Sequence, residues 1–279
     1  MTDRLRICDY NDHDDATLSL SIAAATGFDA ELTQNMTRDD EWRSASLSSV
    51  TMSGLWNATR TVSHFSLHHH GLLGANVRFQ LFSDAGLTTP ASGFNDSGTI
   101  AAADFTDPAI VVSGFEDSRG NADPFAADAS FFLWFDETAA RGYKITFSGT
   151  PDDWAFYWVS RIFVGRYKQM TRTAKFGAAF PPRTLSRGNR TFGGSKRTYR
   201  GASYRSMEFD LDLLTDAQRD TWNDIYANVD ISRDCVISIM PEAGTREERD
   251  TTYAGTFSNL GGIRRERGRA TTRIVFEEN

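Results

Sequence analysis

Apolar and polar residues alternate in short bursts along most of this chain: Leu18, Leu20, Ile22; Val77, Phe79, Leu81; Tyr143, Ile145, Phe147; Trp154, Phe156, Trp158; Met207, Phe209, Leu211, Leu213; Ile274, Phe276. A period of two places alternate side chains on one face of an extended strand. Phe131 to Phe135 (FFLWF) is apolar at every position, which predicts a strand covered on both faces. Turn residues separate the bursts: Asp84-Ala85-Gly86, Asn95 to Gly98, Asp123-Pro124 and Gly149-Thr150-Pro151. Many short strands at this spacing predict antiparallel sandwiches or barrels. One segment has another period. Thr215 as N-cap and Gln218 three residues on form a capping box, and Trp222, Ile225, Tyr226 and Val229 follow at helical spacing, predicting one amphipathic helix over about 215–229.

The fold class expected is therefore mainly β, with an N-terminal antiparallel sandwich of jelly-roll type and a β-rich C-terminal domain carrying that helix. Between them, Tyr167 to Gly201 is rich in Arg, Lys, Gly, Ser and Thr and contains Pro181-Pro182, the composition of a long extended connection. The division expected is residues 1–166 for the sandwich, 167–201 for a basic arm and 202–279 for the second domain.

Composition changes the picture in two respects. With 279 residues, 40% of them hydrophobic and 24% charged, the chain can bury real cores and is neither disordered nor collagenous. The net charge of -7 hides a polarity: residues 1–160 hold 22 acidic and 9 basic side chains, or -13, and residues 161–279 hold 15 and 21, or +6. No run reaches the roughly 18 apolar residues of a membrane span, and the N-terminus has no apolar core of a secretion signal, so no membrane span is expected. Cys8 and Cys235 stand 227 positions apart and read as two free core thiols.

Few constellations suggest chemistry. Four of the five histidines lie within Val62 to Gly71, but on a strand His64, Ser66 and His68 share one face, with His64 and His68 roughly 13 Å apart along the backbone, too far to share an ion. They read as polar strand-face residues, and no metal is expected. Asp9, Asn11, Asp12, Asp14 and Asp15 lack the glycine and glutamate of a calcium loop and read as a solvated acidic turn. Asp152-Asp153 reads as a turn, since no second acid can be placed opposite it for glycoside cleavage. Gly193-Gly194-Ser195-Lys196 lacks the upstream glycine of a phosphate loop, and no GxSxG, HExxH or GxGxxG occurs. No catalytic residue and no cofactor is expected, and the chain reads as a non-enzyme.

The basic residues Arg161, Arg166, Lys168, Arg172, Lys175, Arg183, Arg187, Arg190, Lys196, Arg197, Arg200 and Arg205 raise the question of nucleic acid. Phe176, Phe180, Phe192 and Tyr199 are spaced too widely for a stacking platform. The preferred reading is an assembly arm, with Arg172, Lys175, Arg183, Arg187, Arg190, Lys196, Arg197 and Arg200 pairing with acidic faces of neighbouring subunits, and no nucleic-acid partner.

Several segments, taken in order, resemble a family of tailed-phage virion proteins that join a discoidin-like, galactose-binding-type sandwich to a tail-tip domain. They are Asn35 to Ser44, Val62 to Leu72, Ala75 to Phe82, Ala155 to Gly165, and Arg187 to Gly194 with Tyr204 to Phe209 leading into the capped helix. Each is short, and their order supplies the specificity. The resemblance implies a structural subunit of a phage tail tip, of distal-tail or baseplate type, made in the host cytoplasm and located in the virion, with itself and other tail proteins as partners. The alternative it implies is a module that recognises a host-surface glycan. Trp42, Trp56, Asn57, Arg60, Phe94 and Asn95 are the ligand contacts expected if their loops meet at one tip, because aromatic planes stack on sugar faces and amides bond hydroxyls.

Overall fold

A computed structural model describes residues 4–37, 40–102, 131–152, 154–170, 179, 182–184, 187–190, 196–199, 203–212, 215–229, 232–241, 248, 251–260, 264–266 and 269–278. In chain order the strands are β1 (Arg6–Cys8), β2 (Thr17–Leu20), β3 (Trp42–Arg43), β4 (Val50–His70), β5 (Ala75–Phe82), β6 (Ile100–Ala101), β7 (Phe131–Gly149), β8 (Trp158–Gly165) and β9 (Tyr167–Gln169). They continue as β10 (Pro182–Thr184), β11 (Arg187–Arg190), β12 (Lys196–Tyr199), β13 (Ser203–Asp212), β14 (Cys235–Ser238), β15 (Thr252–Leu260), β16 (Arg264–Glu266) and β17 (Arg269–Glu278), with helix α1 (Asp216–Val229) between β13 and β14. The fold is mainly β and antiparallel throughout, with a sandwich and one described helix.

The sandwich is organised by β4 and β7, which pair along most of their length. Register shifts between Leu55 and Arg60, and again between Val62 and His64, bend this ribbon, so β2 joins the first half of β4 and β8 the second. With β3, β5 and β6 the sheet wraps a core of Trp42, Val50, Met52, Trp56, Phe65, Leu67, Val77, Phe79, Tyr143, Ile145 and Phe147. The alternating sets at 77–81 and 143–147 are all fully buried, as their period predicts.

The second sheet runs β10-β13-β17-β15-β14-β1-β9, with β16 on β17. Here β1 pairs with β14 on one side and with β9 on the other. The chain's first strand and the first strand after the sandwich thus complete the second sheet, and the sandwich is an excursion between them. A division beginning the sandwich at residue 1 leaves this pairing out. A three-residue strand has too little alternation to announce its sheet, and only its register across to residues 236–238 reveals it.

The capping box is present in both directions: Thr215 N–H donates to Gln218 Oε1 at 3.1 Å and Gln218 N–H to Thr215 Oγ1 at 3.3 Å. Trp222, Ile225 and Val229 pack α1 on one face of the sheet, against Phe257 and its neighbours. Tyr226 departs from the expected face and is exposed. The opposite sheet face presents Cys8, Val236 and Ala254 to Phe163 and Trp134 of the sandwich. FFLWF is covered on both sides as expected, Leu133 and Phe135 packing on the sandwich core and Trp134 on this interlayer. Both cysteines are free and buried.

The region expected as one extended connection contains β9, β10 and the hairpin β11–β12, in which Arg187 faces Tyr199 and Arg190 faces Lys196. Arg183 lies on β10, Arg187 and Arg190 on β11, and Lys196 and Arg197 on β12; Arg172, Lys175 and Arg200 lie outside the described residues.

Candidate functional site

The acidic N-terminal turn is solvated only in part: Asp14 and Asp15 are exposed, and Asp9, Asn11 and Asp12 are buried. Asn11 caps a 3-10 turn at Asp12–Asp15, and cations from distant strands converge on it. Arg161, only 5% exposed, spans Asp14 and Asp234, donating Nη1 to Asp14 Oδ1 at 2.6 Å and Nε to Asp234 Oδ2 at 2.7 Å. Lys168 meets Asp9 at 2.7 Å, and Arg60 lies 3.1 Å from Asp15 and 3.6 Å from Asp12. Burial raises the Asp12 carboxyl to about 6 against the opposing pull of Arg60. Arg161 and Lys168, counted at the sequence level among residues that could meet phosphates, are occupied inside the molecule, as is Arg205, which pairs with buried Glu278.

The histidines lie at the interlayer. As expected, His64, Ser66 and His68 share a face, with Phe65 and Leu67 on the core side. Their rings nevertheless converge: the Nε2 atoms of His64 and His68 each lie 2.9 Å from Ser66 Oγ. Backbone spacing alone missed this, because side chains two residues to either side of a small serine can lean over it. The proton positions follow. Leu133 O accepts at 3.1 Å, so His64 Nδ1 bears the proton; its Nε2 accepts from the Ser66 hydroxyl, whose oxygen accepts from His68 Nε2–H. Burial, with Trp134 stacked on His64 at 4.0 Å, holds both rings neutral, lowering His64 to about 3. Among the described residues no set of three His, Cys, Asp or Glu is arranged to hold a metal.

The residues expected as ligand contacts do not form one site. Trp42 and Trp56 are 0% and 1% exposed and belong to the core, Trp42 against Phe147 and Trp56 against Tyr143, with the Trp56 indole donating to Asp12 O at 2.7 Å. They are corrected from ligand contacts to core residues, because each lies on the inward parity of its strand. Asn57 is exposed where β4 bends, and Arg60 is tied to Asp12 and Asp15. Phe94 stacks on Phe135 at 4.0 Å, and the side chain of exposed Asn95 donates to Ala91 O.

The structure assembles a different group at the β3–β8 edge. Trp154 is 45% exposed, and Phe156 and Trp158 are half-buried. Sequence alternation placed these three on one face of a strand; the strand begins only at Trp158, and the alternate set, Tyr157 and Val159, is the buried one. Both sets are apolar, so period alone cannot choose the parity. Tyr157 decides it by donating its hydroxyl to Gly149 O at 2.6 Å and Leu47 O at 3.1 Å.

The exposed set forms a continuous strip. Trp154 meets Phe156 at 5.5 Å and stands edge-on to Trp158 at 5.8 Å. Arg43, placed opposite Trp158 by the β3–β8 register, lies 5.1 Å over Phe156 and 4.0 Å over Phe28 and pairs with Glu41. Beneath the strip, Trp158 rests on Gly71, where a β-carbon would come within 1.8 Å of the indole nitrogen. That nitrogen is buried and has no hydrogen-bond partner among the described residues. Asp152, on the same 150–157 connection, is exposed; its backbone N–H donates to Leu73 O at 2.8 Å and its carboxylate lies against Gly74.

Comparison with protein-family models finds no match, and comparison with curated proteins finds none. Solved structures give distant likenesses. The chain is similar to chitosan-binding module 1 of a Paenibacillus sp. IK-5 chitosanase/glucanase, at 15% identity and a TM-score of 0.40, over 56% of this chain and 99% of that one. It is similar to a Streptococcus pneumoniae fucose-binding module (7% identity, TM-score 0.39, 57% and 99% covered). A Clostridium perfringens CBM32 module in complex with GalNAc-β-1,3-galactose gives 10% identity, a TM-score of 0.37, and 56% and 100% covered. Scores of this size assign neither family nor ligand.

Proposed function

We propose that this chain is a glycan-binding module whose contact surface is the strip Trp154, Phe156, Trp158 and Arg43. The observation that carries the reading is a chain of aromatic rings left facing outward beside a sandwich that packs its other tryptophans away, Trp42 and Trp56 in the core and Trp134 on the interlayer. A pyranose ring presents an apolar C–H face and a rim of hydroxyls, and it takes an aromatic plane below and polar groups at its edge. The strip supplies indole faces, with the Arg43 guanidinium at its edge for hydroxyls. Exposed aromatic surface of this kind is costly to leave in water unless a ligand covers it. The function is thus recognition, with no catalytic step. The test is a glycan array probed with the full chain and with Trp154→Ala: saccharide binding by the parent that the variant loses supports the reading, and an array with no Trp154-dependent signal overturns it.

A second reading, a structural subunit at a phage tail tip, is supported by the order of the sequence segments described above and by one structural feature. The second sheet ends on β9 and β10, each paired on one side only among the described residues, and such edges can accept a strand from another chain. The basic segment from 167 to 201 would then contact acidic neighbours in a virion. Deleting 167–201 would remove β9 and β10 from the sheet, so the test is light scattering of the whole chain over concentration and salt. A closed, salt-sensitive oligomer supports this reading, and a monomer under all conditions overturns it.

A further inference from the structure

The charge around the aromatic strip narrows the class of glycan. Arg43 is the strip's one cation among the described residues, and it is already engaged by Glu41 and by the faces of Phe28 and Phe156. Asp152 has no such partner: its carboxylate, exposed and two residues before Trp154, makes no ion pair or side-chain hydrogen bond among the described residues. Among the described residues the local balance is therefore one uncompensated negative charge beside outward indole faces, set in a stretch of chain whose first 160 residues carry -13. An oligosaccharide bearing carboxylates or sulfates would meet like charge here. A protonated amino sugar would find the opposite charge, and its ammonium would also be attracted to the indole faces by the ring quadrupole. The strip already shows this chemistry in place, since the Arg43 guanidinium lies over two rings.

Resting on the glycan-binding reading, we infer that the strip selects oligosaccharides with free, protonated amino groups, with Asp152 as the specificity-determining carboxylate and Trp154 and Trp158 as the stacking surface. One chain would cross Trp158, Trp154 and Phe156, with an ammonium toward Asp152. N-acetylation removes the charge and adds bulk, so the acetylated oligomer keeps the stacking and loses the ion pair.

The experiment is calorimetric titration of the full chain at pH 6 with glucosamine oligomers, N-acetylglucosamine oligomers of equal length and oligouronates, at low and high salt, repeated with Asp152→Asn. The expected result is a preference of about tenfold for the glucosamine oligomer, the size of one favourable charge contact. Added salt should shrink that preference, and D152N should abolish it, the glucosamine oligomer then binding no more tightly than the N-acetyl oligomer. Equal binding of the two oligomers, or an unaltered preference in D152N, overturns the selectivity and leaves glycan binding standing. Failure of every saccharide to bind overturns both.

Discussion

Two groups of aromatic residues in the sandwich have nearly the same composition and opposite fates. Trp42, Trp56, Tyr143, Phe147 and Phe79 are fully buried and hold the sheet closed. Trp154, Phe156 and Trp158 lie a few residues from the core yet face outward. The difference is strand parity, and parity is set by polar anchors: the Trp56 indole bonds Asp12 O, and the Tyr157 hydroxyl bonds two backbone oxygens. Ring chemistry alone does not decide between core and contact surface. For Trp56 and Tyr157 the neighbour that satisfies the polar tip does, whereas the Trp42 indole nitrogen is buried with no hydrogen-bond partner among the described residues.

The largest effect expected follows from emptying the core. Trp56→Ala should cost about 3–5 kcal/mol in chemical denaturation, because it leaves a cavity and strands the Asp12 carbonyl. Arg161→Leu comes next at about 3 kcal/mol, since Asp14 and Asp234 are then left without their cation near the junction of the two sheets. Restoring much of that loss with Arg161→Leu/Asp234→Leu, read by the same denaturation, would show that the unpaired charge is the cause.

Acid should act mainly on the interlayer. Burial lowers His64 and His70 to about 3, and His13 and His68 also lie well below the ordinary value, so the unfolded chain binds protons below about pH 6.5 that the folded chain refuses. Stability is therefore full above pH 6.5 and falls as pH is lowered toward 3. Asp12, raised to about 6, and Asp14, also raised by burial, work in the opposite direction, gaining stability as pH falls, but they are two groups against four. Denaturation at pH 7 and pH 4.5 should show a net loss of at least roughly 3 kcal/mol, the contribution of two pH units from a single such histidine.

These interlayer effects mark where the sequence was legible and where it was not. The inward alternation at 77–81, 143–147 and 207–211, the two-sided cover of FFLWF and the capped helix could be read directly, since each depends on contacts within a few residues. The membership of β1 in the second sheet, the pairing of Arg161 with residues 147 and 73 positions away, and the meeting of His64 and His68 over Ser66 depend on which strands lie face to face. Of the ligand contacts expected from sequence, the two tryptophans proved to be core. The strip was visible only as an alternation with two apolar parities to choose from.

The smaller predictions sharpen the contrast at the surface. Gly71→Ala should cost about 1–3 kcal/mol through overpacking, because its β-carbon displaces the Trp158 indole, and it should weaken glycan binding with Trp154 itself untouched. Calorimetry beside thermal unfolding separates the two effects. Trp154→Ala should change stability by less than about 0.5 kcal/mol, as an exposed side chain, yet abolish glycan binding.

The most direct measurement is the nuclear magnetic resonance spectrum of the six tryptophan indole N–H groups during titration with a glycan identified on the array. The indole signals of Trp154 and Trp158 should shift with added ligand while those of Trp42, Trp56 and Trp222 stay fixed. Shifts confined to Trp42 or Trp56, or no shift at Trp154 and Trp158 under saturating ligand, would contradict the outward strip as the recognition surface.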